Sequence, residues 1–200
     1  MANHIRVLAE SDQRSPLSEL RRVLGDSFDV SVEEGDEQNW SQLVLKHKDG
    51  QEIALIDRDP VAPDELGQQE LDELVDEMKD ARPVRNAEWL KHYISHVKIV
   101  YAMQPLSGTQ VNDGMSAVLR AQAYFWKKFG GILQADNEGF SNREGYHVLW
   151  QFHGPQQGEL EAAVMNDDGQ WSGFVMDMGD PEQVAAFQRG EVPAGAVKHG

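Results

Sequence analysis

The sequence predicts an α+β fold, on three observations. Short apolar runs of strand length are interspersed with amphipathic helical stretches, most strands follow one another through short turns, and Asp-Gly dipeptides separate apolar runs that could pair. The order strand, helix, several strands, helix occurs twice, so we expect two related β-α-β-β-β-α type halves, with mainly antiparallel sheets and helices packed on one face. Residues 1–82 would form the first half, 83–97 a connecting helix, 98–189 the second half and 190–200 a flexible tail.

Ile5 to Ala9 is apolar enough for a first strand. Ser15 and Pro16 then supply an N-cap and a proline at the first helical position, Leu17, Leu20 and Leu24 share one helix face, and Gly25 ends it. Phe28, Val30 and Val32 alternate with polar residues, as in a half-buried strand. The runs 40–47 and 51–57 flank Asp49-Gly50, which predicts a hairpin with a tight primed turn. Two prolines in Asp59-Pro60-Val61-Ala62-Pro63 predict a break in the sheet.

Leu71, Leu74, Val75 and Met78 recur at helical spacing, with Glu73, Asp76, Glu77 and Asp80 on the other side, so an acidic helix is expected before Pro83 and a further helix over 86–96. Residues 98–104 read as a strand opening the second half. Asp113 should cap a long helix that buries Met115, Val118, Leu119, Gln122, Phe125, Trp126 and Phe129 and stops at Gly130-Gly131. Strands are expected at 132–135, 146–152, 160–165 and 171–178, the last pair joined by Asp167-Asp168-Gly169, and Pro181 should open a final short helix.

A chain of 200 residues buries roughly 70% of its unfolded surface, so its core needs no metal or disulfide. Nothing resembles a signal h-region or a run of about 18 apolar residues, and cysteine is absent, which removes disulfides and every thiolate site. A cytoplasmic location is expected. The net charge of −16 disfavours direct nucleic-acid and membrane binding, because both depend on Lys and Arg meeting phosphates. Half of that charge lies between Asp59 and Asp80, where nine acids face Lys79 alone.

No Gly-x-Ser-x-Gly, phosphate-binding loop, dinucleotide glycine run or kinase signature appears, so the sequence points to no enzyme class, cofactor or metal. Glu88, His92 and His96 fall every four residues, a stripe that suits either metal ligation or capping of helix carbonyls. His147 and His153 read as surface histidines that could reach Asp177 or Asp180. The expected function is protein binding of an immunity or adaptor type, with Glu73, Asp76, Glu77 and Asp80 meeting a basic protein partner. The alternative is a small-molecule or hydrolytic site at the 134–140 loop, with Asp136 and Glu138 as carboxylates and Trp150 and Trp171 as stacking walls.

Overall fold

The structure, a computed structural model, describes residues 3–111 and 113–198. It is α+β, with five α-helices and eleven mostly antiparallel strands among the described residues. In chain order these are β1 (Ile5–Ala9), α1 (Leu17–Leu24), β2 (Phe28–Glu34), β3 (Gln42–His47), β4 (Glu52–Pro60), α2 (Leu66–Glu77), α3 (Val84–Ile94) and β5 (Ile99–Pro105). They continue with α4 (Gly114–Phe129), β6 (Ile132–Ala135), β7 (Gly139–Ser141), β8 (His147–Trp150), β9 (Glu159–Met165), β10 (Trp171–Asp177), α5 (Pro181–Arg189) and β11 (Val197–Lys198). Among the described residues no helix is long and apolar enough to cross a membrane. The chain divides into two compact units, Met1–Glu70 with Val97–Gly131, and Leu71–His96 with Ile132–Gly200.

The first unit holds an antiparallel sheet in the order β1-β5-β4-β3-β2. Residues Ile99 to Met103 are all buried, so β5 needs cover on both faces and neighbours on both edges, and it lies between β1 and β4. Tyr101 at its centre stacks on Phe125 and Phe129 of α4, with ring centroids 4.4 and 5.3 Å apart. Leu17, Leu20 and Leu24 are buried as their spacing predicts, and Arg120 of α4 donates to the Leu24 carbonyl at 2.9 Å.

Four expectations change here. Pro16 rather than Ser15 occupies the N-cap of α1, and the Ser15 hydroxyl pairs with Tyr124 instead. The β3–β4 hairpin forms, but only Gly50 of the Asp49-Gly50 pair takes a positive φ (96°), so the turn is not of the primed type. Asp59-Pro60 does not break the sheet: β4 runs on beside β5, with Asp59 opposite Val100 and Pro60 opposite Ile99. β3 pairs no further than Asp57, so proline's missing N–H falls where β4 has no second neighbour. Finally, α4 buries only part of its predicted face: Val118, Phe125 and Phe129 are buried as expected. Met115 and Leu119 are exposed while Ala117 and Ala121 are buried, because the small residues let the helix approach the sheet.

The second unit holds strands in sequence order from β6 to β11, antiparallel except for β8 and β9. Ala162, Val164, Phe174 and Met176 bury one face under Phe187 of α5, with Val192 and Ala196 packed against them. Trp171 differs from Phe174 by an odd number of residues and points to the other face, where it meets Trp89 of α3. The two helices therefore cover opposite faces, unlike the one-sided packing expected. On the 71–78 segment, Leu71, Leu74 and Met78 are buried as the periodicity predicts.

The parallel β8–β9 pair shows a single residue pair in register, His147 with Ala162. Asn86 of α3, fully buried, bridges this junction. Its Nδ2 donates to the carbonyls of Val148 (2.7 Å) and Ala163 (2.9 Å), and its Oδ1 accepts from the Met165 N–H (3.0 Å). Asn86→Ala would leave three buried backbone groups unpaired, so urea unfolding of the variant should show a loss of about 3 kcal/mol. Asn86→Asp should lose at least as much, since a carboxylate cannot donate to either carbonyl.

Candidate recognition site in the second unit

A cavity of about 320 Å³ is lined by Trp89 and Tyr93 from α3, Arg143 and Glu144 from the 142–146 loop, and Trp171 from β10. Trp89 and Tyr93 are four residues apart on one helix face, which stacks their rings at 5.2 Å. Trp171 stands edge-on to Trp89 at 4.9 Å and 83°, making an aromatic corner. Gly173, two residues along β10, lies under the Tyr146 ring, and a methyl group there would come within 2.8 Å of it.

The loop that carries Arg143 and Glu144 is organised by Asn142, which is fully buried. Its Oδ1 accepts from the backbone N–H groups of Glu144 (3.1 Å) and Tyr146 (3.0 Å), which turns the two charged side chains outward. The Arg143 guanidinium sits 5.5 Å from the centroid of Tyr93, so one aromatic face already holds a cation. Among the described residues the lining offers stacking surface, a guanidinium and one carboxylate. That chemistry suits binding.

Of the residues the sequence proposed for a small-molecule site, Trp171 alone lines this cavity. Asp136 and Glu138 lie on the β6–β7 turn, where Gln134 donates to Asp136 and Glu138 is exposed. Trp150 packs with Phe152 and Phe187 on the α5 face, opposite Trp171. Glu73, Asp76, Glu77 and Asp80 are all exposed, and Asp76 pairs with Lys79 at 3.0 Å. Trp89, Tyr93, Arg143 and Glu144 were not singled out from the sequence, although the four-residue spacing of Trp89 and Tyr93 was legible there.

The histidine stripe ends early because α3 stops at Ile94; His96 lies beyond it and its Nδ1 is 3.0 Å from the His92 carbonyl. Among the described residues no group of three or more His, Asp or Glu is arranged to hold a metal ion. Asp180 caps α5 by accepting from the Glu182 and Gln183 N–H groups. His153 is exposed, whereas His147 is buried among Trp150, Phe152 and Phe187, with its Nε2 unpartnered. A wider depression of about 640 Å³ in the first unit is lined by Ser27, His47, Lys48, Asp49 and Asp113.

Two groups have proton affinities shifted far from their ordinary values. Burial, and then repulsion from Asp57 and Glu70, raise the Asp59 carboxyl to about 6; Glu70 itself is paired with Arg6 at 2.5 Å. Burial lowers the His147 imidazole to about 4, against a hydrogen bond to the Leu149 backbone that works the other way.

The signs are opposite. Asp59 binds its proton more tightly in the folded state, so its stabilising contribution is present at low pH and is lost as pH rises through about 6. His147 contributes stability that is present above its ordinary value and lost as pH falls through about 4. In urea unfolding between about pH 4 and 7, Asp59→Asn should remove the loss of stability on the neutral side, and His147→Leu should reduce the loss on the acid side. Comparison with protein-family models, with curated proteins and with solved structures finds no match for this chain.

Proposed function

We propose that the protein is a recognition module of the immunity or adaptor type, which binds a basic protein partner through its second unit. The observation that carries the reading is the corner of Trp89, Tyr93 and Trp171, in which the Tyr93 face already accepts the guanidinium of Arg143. A partner's arginine or lysine entering the same cavity would gain a cation–π attraction of about 0.5–2 kcal/mol per good contact. Glu144 on the lining would offer it a countercharge. Exposed Glu73, Asp76, Glu77 and Asp80 belong to the same unit and would speed encounter with a positive surface and reject acidic ones.

A second reading, a small-molecule site, is favoured by the cavity's volume and by Arg143 beside two indoles, which together suit a planar anion. It moves the site from the 134–140 loop to the 142–146 loop.

The two readings separate in a capture experiment from lysate of the source organism, followed by affinity measurement on the purified partner. Replacing Glu73, Asp76, Glu77 and Asp80 by Gln or Asn should weaken a basic partner about tenfold at low salt and by less at high salt. Trp171→Ala should weaken it about tenfold at any salt. Partner affinity that is flat with salt and equal in all three proteins would sink the protein-binding reading.

A further inference from the structure

We propose that Arg58 and Arg14 of the first unit form a binding site for a phosphate group, with Arg58 as its floor and Arg14 as its rim. Arg58 lies on β4 and is only 5% exposed. Its Nη2 donates to the Asp12 carbonyl at 2.9 Å, it hydrogen-bonds the Tyr101 hydroxyl beside it on β5, and its Nε has no partner. None of its hydrogen-bond or ion-pair partners among the described residues is a carboxylate. A buried guanidinium held only by a carbonyl and a phenol has no paired carboxylate, and burying a charge without a partner is costly.

A second cation stands close by. Arg14 donates to the Trp40 carbonyl at 3.2 Å, and the Trp40 ring lies 6.2 Å from Tyr101, so both guanidiniums reach the same corner. Burial and repulsion from Arg58 lower the proton affinity of Arg14, with Tyr101 and Asp36 acting in the other direction. Tyr101 cannot serve as an internal counter-ion, because burial pushes its phenol above the ordinary value and keeps it neutral.

In a chain with 34 acids and 18 bases, two neighbouring arginines without a paired carboxylate stand out as a place left for an anion supplied from outside. Two guanidiniums match the charge of a phosphate dianion, and their planar donor forks match its oxygens. The site is open to solvent on one side, since Arg14 is exposed. Its walls are firm: Trp40 is buried and packs on Tyr101 and Phe125.

The test is a calorimetric titration of the full chain with inorganic phosphate, and with phenyl phosphate in parallel, at ionic strength held constant with chloride. Arg14→Gln is the variant of choice because its side chain is exposed, and its fold is checked by its melting temperature without phosphate. Saturable phosphate binding by the wild-type chain, weakened about tenfold in Arg14→Gln, is the expected result. Tighter binding of phenyl phosphate assigns an ester and tighter binding of inorganic phosphate the free ion, and either supports the site. Absence of saturable binding, or equal affinity in wild type and Arg14→Gln, overturns it.

Discussion

The second unit depends on one amide. Parallel neighbours usually share an extended ladder, but β8 and β9 meet at a single residue pair, and the missing hydrogen bonds are supplied by a side chain from α3. Asn86 reaches both strands at once, to Val148 on β8 and to Ala163 and Met165 on β9. A glutamine, with one more methylene, or an aspartate, with no donor, could not make the same three bonds in that space. The amide also sets α3 on the sheet, and α3 carries Trp89 and Tyr93, so the aromatic corner follows from the same interaction.

Charge placement organises the surface. Acids outnumber bases almost two to one, and most of the surplus is spent where water can solvate it, as on the outer side of the 71–80 segment. Where acids crowd together, as Asp57 and Asp59 of β4 and Glu70 of α2 do, one arginine pairs with Glu70 and Asp59 holds on to its proton instead. Where cations crowd, as Arg14 and Arg58 do, no carboxylate among the described residues pairs with them, although Asp36 acts on Arg14. The two corners are opposite solutions to burying charge, and the second is the one proposed to take an anion.

Sequence periodicity reported well on elements whose environment is simple. The Leu17, Leu20, Leu24 face and the Leu71, Leu74, Met78 face are buried because a helix on a core needs one apolar stripe, and that stripe is a local property. The α4 face was misjudged because size competed with hydrophobicity: Ala117 and Ala121 allow close approach to Tyr101's strand, and Met115 and Leu119 are turned out to water. His147 was unreadable for a related reason, since nothing in its neighbours along the chain reveals that Phe187 and Trp150 enclose it.

By itself the sequence determined the fold class, the order of the elements apart from the short strands β7 and β11, the hairpins at Asp49-Gly50 and Asp168-Gly169, and the acidic outer side of the 71–80 segment, because each is written in residues close together along the chain. Strand order, the placing of β5 between β1 and β4, and the opposite faces of Trp150 and Trp171 were decided only in the tertiary structure. So were both candidate sites. The aromatic corner joins residues 89, 143 and 171, and the arginine corner joins residues 14, 58 and 101; hydrogen-bond ladders and core packing bring these together across separations that no local pattern records.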